Sequence, residues 1–212
     1  MKYIIMCGGH YGCWDRPKHL SIINGEPLVA RTIRLLREQG VEDISISSNN
    51  PGFDQFGVPV LKHTNNYGLS NGLWSEAFYP LDEPCTYLFG DVVFSPAAIK
   101  KIIETKTEDI EFFASARPFD KNYIKPWREP FAFKVVNQEH LKQAQKDCRK
   151  EFDAGHFKRK VPLAWEFWQV VKKTELNKEI MNYVPIQDYT CDVDTSEDVA
   201  KFNDLFKRGA IC

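Results

Sequence analysis

The sequence predicts one α/β domain built on a mostly parallel mixed sheet flanked by helices. Short apolar runs alternate with amphipathic helical stretches through the first half of the chain, the pattern of parallel strands joined by crossover helices. The first run, residues 2–7, is apolar on both faces and stops at glycines, as a buried central strand does. The chain has 212 residues, 43% hydrophobic and 27% charged, which suits a single core.

The elements follow in order. After the strand at 2–7 comes a glycine-bearing loop, 8–17, and then Leu20-Ser21-Ile22-Ile23, closed by the turn pair Asn24-Gly25. Pro27 opens a helix in its first turn. Val29, Thr32, Ile33 and Leu36 give that helix one apolar face, and Gly40 ends it. Arg31, Arg34 and Arg37 lie off the stripe and read as a solvated outer face. Ile44–Ser47 is a second strand, Val58–Leu61 a short third, and Leu73–Phe78 is helical. Tyr87-Leu88-Phe89 is a buried strand, Pro96–Ile103 a helix and Ile110–Ala116 a strand. A strand at 131–136, a polar helix from Gln138 to about Phe152, a tryptophan-rich helix at 163–173, strands near 184–186 and Cys191, and a helix at 196–207 complete the chain. The division expected is a nucleotide-binding half at 1–116, an acceptor-substrate region at 117–180 and a closing metal-site strand and helix at 181–212.

Composition excludes several classes. Twenty-eight basic residues face 29 acidic ones, without the basic excess of a protein dedicated to nucleic acid. No apolar run reaches the roughly 18 residues of a membrane span. The N-terminal apolar stretch is too short for a signal peptide, so a cytoplasmic protein is expected. Six scattered cysteines include no Cys-x-x-Cys pair, which argues against zinc and for free thiols. Cys7, Cys85 and Cys191 adjoin strands and read as small core residues.

Three features carry chemistry. Gly8-Gly9-His10-Tyr11-Gly12 directly follows the first strand, where glycines let backbone N–H groups approach phosphate. It lacks Gly-x-Gly-x-x-Gly, and no acid ends the second strand, which argues against a nicotinamide protein. Lys18, beside Arg16 and stiffened by Pro17, is the candidate cation. Asp91 ends a buried strand, and Asp192 and Asp194 share one side of another at the strand period of two. Such carboxylates, completed by phosphates and water, suit Mg²⁺. Thr195 or Ser196 and Asp198 read as cap and first-turn acid of the last helix.

Together these blocks resemble the nucleotidyltransferases of the GT-A-like, Rossmann-like fold, a family that includes sugar-phosphate, choline-phosphate and molybdenum-cofactor nucleotidylyltransferases. The family's Pro-Lys-x-Leu-x-x-Ile-x-Gly-x-Pro-Leu run reads here Pro17-Lys18-His19-Leu20-Ser21-Ile22-Ile23-Asn24-Gly25-Glu26-Pro27-Leu28, with one residue inserted before the glycine. Leu88-Phe89-Gly90-Asp91 is similar to its Gly-Asp metal strand, and Asp192-Val193-Asp194-Thr195-Ser196-Glu197-Asp198 to its closing acidic element. The loop lacks the family's Thr-Arg, for which Arg16 is the candidate substitute. The resemblance implies an Mg²⁺-dependent enzyme, with Mn²⁺ as a second metal, that joins an NTP, CTP favoured, to a small phosphorylated acceptor. It implies that Lys18 and Arg16 act on phosphate with Asp91, and that Asp91, Asp192 and Asp194 form the metal site. The nucleotide would be lined by Cys7, Gly8, Gly9, His10, Tyr11, Gly12, Ser48, Asn49, Asn71, Gly72 and Ser75. No nucleic-acid or membrane partner is expected, and a homodimer is left open.

Residues 117–168 match nothing in that pattern. Their basic residues (Arg117, Lys121, Lys125, Arg128, Lys134, His156, Lys158, Arg159 and Lys160) read as surface charges, and Trp127, Trp165 and Trp168 as core or pocket wall. Two other readings stand beside the first: a GT-A glycosyltransferase using Asp192-Val193-Asp194, and a non-catalytic nucleotide-binding domain. The acidic motif lies late in the chain for the former, and the latter should have lost Lys18, Asp91 or Asp194.

Overall fold

The computed structural model describes residues 1–8, 14–62, 72–117, 124–178 and 182–212. The chain runs β1 (Lys2–Met6), β2 (Ile22–Ile23), β3 (Glu26–Pro27), α1 (Leu28–Glu38), β4 (Ile44–Ser47), β5 (Val60–Leu61), β6 (Cys85–Phe89), β7 (Val92–Val93) and α2 (Pro96–Glu104). It continues through β8 (Ile110–Ser115), β9 (Pro130–Val135), α3 (Gln138–Asp153), α4 (Ala164–Val171), β10 (Val184–Ile186), β11 (Cys191–Asp192) and α5 (Ser196–Lys207).

The main sheet has the order β10-β8-β9-β6-β1-β4-β5. All its strands run one way except β9, which pairs antiparallel with both β6 and β8. From β1 the chain builds outward through β4 and β5, then returns to place β6 on the other side of β1. That reversal is a topological switch point, where open α/β sheets leave a crevice at the carboxyl ends of their strands. Two antiparallel ribbons, β2–β3 and β7–β11, complete the strand pairing.

Local chemistry accounts for the helices. In α1 the predicted stripe of Val29, Thr32, Ile33 and Leu36 is buried, and Gly40 takes φ +78° just beyond its end. Ser95 caps α2 by accepting from Ala98 N–H at 2.9 Å, and Asn137 caps α3 by accepting from His140 N–H at 3.0 Å. Pro27 stands one residue outside α1, at its N-cap, because it also pairs with Ile22 in the β2–β3 ribbon. The segment expected to be helical at 73–78 is one 3₁₀ turn, Trp74–Ala77, and the third strand shrinks to its last two residues.

The main core lies around the sheet and is strongly aromatic: Phe112 and Phe133 stack at 4.6 Å, and Trp168 and Phe167 of α4 close over them. A second, smaller core joins Ile23, Leu28, Val93, Tyr189, Cys191, Val193 and Phe202. It fastens the β7–β11 ribbon and α5 to the β2–β3 ribbon. Cys7, Cys85, Cys148 and Cys191 are buried thiols and Cys212 is an exposed one; Cys13 lies outside the described residues. Burial pushes the Cys85 and Cys148 thiols up to about 11, which leaves them unreactive near neutral pH. No helix among the described residues is long and apolar enough to cross a membrane.

Two of the basic residues expected at the surface, Arg31 and Lys134, are buried in the scaffold. Arg31 is 3% exposed: its guanidinium donates to the Tyr189 hydroxyl at 3.1 Å and lies 4.9 Å from the Phe206 ring centre. The helical wheel placed it off the apolar stripe, but the C-terminal segment folds over that flank and gives it polar and aromatic partners. Arg34 and Arg37 remain exposed, as expected. Lys134, on β9, donates to the carbonyls of Ile102, Ile103 and Thr105 and so closes the C-terminal end of α2. Arg31→Ala should therefore lower the unfolding free energy by about 2–3 kcal/mol, against about 0.5 kcal/mol for Arg34→Ala or Arg37→Ala. Urea unfolding followed by circular dichroism measures all three.

Candidate active site

The crevice at the switch point holds a cavity of about 570 Å³. Its floor is made by Met6 at the end of β1 and Gly8 beyond it, Phe89 and Asp91 at the end of β6, and Lys18 and His19. The two strand ends approach so closely that Gly90 admits no side chain: a Cβ there would lie 2.6 Å from both the Cys7 sulfur and the Met6 carbonyl oxygen. Gly90 N–H donates to that same carbonyl at 3.0 Å. Only glycine lets β6 turn here and set Asp91 over the end of β1.

Lys18 is presented by the 3₁₀ turn Lys18–Leu20, which follows the extended Pro17. Its ammonium lies 2.7 Å from Asp91 Oδ2 and 3.2 Å from Asp194 Oδ1. A second ammonium, Lys125, lies 2.6 Å from Asp194 Oδ2 and 2.6 Å from Asp192 Oδ1, with Glu129 at 3.7 Å and Asp198 at 3.9 Å. Asp194 thus bridges two lysines, one through each oxygen. The result is an alternating row: Asp91, Lys18, Asp194, Lys125, Asp192.

Backbone bonds hold this row in place. Val193 N–H donates to the Asp91 carbonyl at 2.8 Å, which ties the closing segment to β6. Thr195 caps α5 by accepting from Asp198 N–H, and the Asp198 carboxylate accepts from Asp194 and Thr195 N–H, both at 3.0 Å. Trp14 donates its indole N–H to the Asp194 carbonyl at 2.9 Å. The cap and the turn after β11 together aim Asp194 into the crevice.

The charges shift one another. Burial alone would lower the Lys18 ammonium, but Asp91 beside it, with Asp194, outweighs burial and raises it above an ordinary lysine. Burial likewise opposes the charged forms of Asp91 and Asp194; Lys18 holds Asp91 below the usual range, and hydrogen bonding from Lys125, with the charge of Lys18, does the same for Asp194. Asp192 goes the other way, because burial and then Glu129, Asp91 and Asp194 disfavour its charge more than Lys125 favours it. Glu129 is raised chiefly by burial. The neutral imidazole of His19, 3% exposed, is driven down to about 4 by burial.

Opposite this polar floor stands an aromatic wall of Trp74, Trp127, Trp165, Pro130 and Leu163, with Arg128 and Arg159. Arg128 lies 4.8 Å from the Trp165 ring centre. Trp127 is 54% exposed and donates its indole N–H to Glu129, so it is a wall residue at the cavity mouth and not part of the core. Trp168 is fully buried.

The structure therefore brings Gly8, Lys18, Asp91, Asp192 and Asp194 together, as the sequence predicts. Other candidates stand elsewhere. Cys7 is buried under Gly90, and Ser48 directs its hydroxyl to the Cys7 carbonyl at 3.0 Å. Ser75 is buried, and its carbonyl accepts from Gln145 of α3, while its neighbours Trp74 and Ala77 face the cavity. Arg16 and Asn49 are exposed and Gly72 half-buried, and none of the three is among the described residues lining the cavity. Gly9, His10, Tyr11, Gly12 and Asn71 lie outside the described residues. Lys125, expected at the surface, is 3% exposed. Glu129 was not singled out in the sequence; its only signal is an acid four residues after Lys125, each directly followed by a proline, at the entrance to β9.

The MobA-like NTP transferase domain model matches residues 3–157. The chain belongs to this family. It is a nucleotidyltransferase, and its architecture recurs in solved structures of such enzymes. The inositol-1-phosphate CTP transferase from T. maritima is 17% identical, with a TM-score of 0.58 over 100% of this chain and 98% of that one. The CTP:phosphocholine cytidylyltransferase from Streptococcus pneumoniae is 16% identical, with a TM-score of 0.54 over 97% and 98%. The 4-diphosphocytidyl-2C-methyl-D-erythritol synthase from Anaerococcus prevotii is 11% identical, with a TM-score of 0.57 over 98% of each chain. No curated protein sequence matches the chain.

In this nucleotidyltransferase His19 should leave a signature in stability against pH. It titrates at about 4 when folded against 6.5 in water. Below 6.5 the unfolded chain binds a proton that the folded chain does not, so this group's contribution is lost as pH falls from 6.5 to about 4. The full loss is about 3 kcal/mol. Asp91 and Asp194, held low, keep their contributions through that window, while Asp192 and Glu129, held high, act in the opposite sense. The share of His19 is thus the difference between wild-type and His19→Asn, whose stability should fall less steeply from pH 6.5 to 4.5 in denaturant titrations. Parallel curves would show that His19 does not titrate there.

Proposed function

We propose that the chain transfers a nucleotidyl group from an NTP to an anionic oxygen of a small phosphorylated metabolite, releasing pyrophosphate. The observation that carries this reading is Lys18 held between Asp91 and Asp194 on the floor of the β1/β6 crevice. The acceptor oxygen forms a bond to the α-phosphorus, the bond from that phosphorus to the bridging oxygen breaks, and pyrophosphate leaves with the electron pair. Two anions meet at the reacting phosphorus, so a fixed ammonium stabilises the transition state more than either ground state. Lys18 is the group for that role, and Gly8 begins the loop that would cradle the triphosphate.

The donor chemistry fits a divalent cation. One oxygen each from Glu129, Asp192 and Asp194 lies within 4.8 Å of the others. Hard carboxylate oxygens suit Mg²⁺ or Mn²⁺. The metal set we propose is Asp91, Asp192 and Asp194, joined by Glu129. When bound, the ion supplies charge neutralisation at the triphosphate. The part of the wall that lies in the 117–180 region, Trp127 and Trp165 with Arg128 and Arg159, is the acceptor side: the arginines suit a phosphate and the indoles suit the apolar face of its carrier. Among NTPs we favour CTP, a reading that rests on the sequence run Ser47-Ser48-Asn49-Asn50.

The reading is tested by pyrophosphate release with each of the four NTPs against a panel of sugar, polyol and amino-alcohol phosphates. Release should require Mg²⁺ or Mn²⁺ and stop in EDTA. Lys18→Ala should lower kcat/KM at least about 10²-fold, the usual cost of one such electrostatic contact, while Arg16→Ala stays within about 10-fold. Release of a nucleoside diphosphate from a nucleotide sugar, with no pyrophosphate from any NTP, would favour a glycosyltransferase instead.

A further inference from the structure

The three carboxylates suited to a divalent cation already surround a cation belonging to the chain itself. Lys125 Nζ lies 2.6 Å from Asp192, 2.6 Å from Asp194 and 3.7 Å from Glu129. Only 3% of its surface reaches solvent, and the three oxygens lie within 4.8 Å of one another. Mg²⁺ needs its oxygens at about 2.0–2.1 Å. Oxygens so close together cannot hold such an ion and the ammonium at once, because two cations would share one small ring of donors and repel across a poorly solvated gap.

We propose that Lys125 is a tethered counter-cation occupying the metal position, so that a divalent ion enters only by displacing its ammonium. This rests on the metal reading of the site given above. Two consequences follow from the geometry. The free enzyme binds metal weakly, since the ion must compete with a charge that never diffuses away, and the site loads when a triphosphate brings its own negative charge to the crevice. Trp127 reports the exchange. Its ring centre is 6.0 Å from Lys125 Nζ, and its indole N–H donates to Glu129, so both its neighbours are disturbed when the ammonium leaves and Glu129 turns to the ion. Lys125 is in this respect a positioning residue: it keeps the carboxylates gathered and compensated until the metal arrives.

The test is Mn²⁺ binding to the full chain without nucleotide, read from the electron paramagnetic resonance signal of the free ion. Lys125→Met removes the charge and keeps the length of the side chain, and should bind Mn²⁺ at least about 10-fold more tightly than wild-type. Lys125→Arg keeps the charge and should remain near wild-type. Equal or weaker binding by Lys125→Met would overturn the proposal. Should Lys125→Met fail to fold, tryptophan emission decides the matter: Mg²⁺ added with a non-hydrolysable NTP analogue should change the emission of wild-type, and Trp127→Phe should lack most of that change. An unchanged emission at saturating metal overturns the proposal as well. Pyrophosphate release is measured in parallel. Metal-dependent release with no change in Mn²⁺ affinity in Lys125→Met removes the role of Lys125 and leaves the function standing. Absence of both Mn²⁺ binding and pyrophosphate release removes the two together.

Discussion

The site depends on charges of alternating sign. Asp91, Lys18, Asp194, Lys125 and Asp192 stand in a row in which every charge has an opposite neighbour within 3.2 Å. These groups come from four separate parts of the chain, and most are poorly solvated. Taking a carboxylate out of water costs several kcal/mol unless a counter-charge and hydrogen bonds replace the water. Three gathered carboxylates would force the segments after β6 and β11 apart. The two lysines make their convergence possible, and with it the polar floor of the crevice. The same row explains why neighbouring aspartates shift in opposite directions: Asp194 lies against two ammonium groups, whereas Asp192, more deeply buried, faces more negative charge than positive.

The scaffold exists to hold that row. Reversal of strand order at β1 opens the crevice, and Gly90 allows β6 to pass over the end of β1. The second core seats the β7–β11 ribbon against β2–β3, so a C-terminal pair of aspartates reaches a lysine near the N-terminus. Arg31 fastens the same C-terminal segment to α1. Much of the aromatic wall comes from the entrance to β9 and the start of α4. The cavity is thus lined by different stretches of the chain.

Much of the fold was legible because it depends on local patterns. Strand-like runs such as Ile44–Ser47 and Tyr87–Phe89, the stripe of α1 and the cap Thr195 with Asp198 each declare themselves within a few residues. The metal and phosphate candidates Lys18, Asp91, Asp192 and Asp194 were legible for a different reason: they fall in motifs whose order along the chain is distinctive. Ser48 and Ser75 turn their hydroxyls inward, because a residue near a pocket can direct its side chain to the core while its neighbours face the cavity.

The sequence by itself determined the layered α/β architecture, the family and the principal charged residues, since periodicity and motif spacing are properties of neighbouring positions. It could not tell which distant groups would meet. Lys125, Lys134 and Arg31 all read as surface cations, for a lone basic residue in a polar stretch ordinarily remains in water. Each is buried because residues far away in the chain bring it an anion, a set of carbonyls or an aromatic face. Burial of a charge is decided by partners, and the partners of Lys125 lie on Glu129 and beyond residue 190, so only the closed tertiary structure could place an ammonium among the carboxylates.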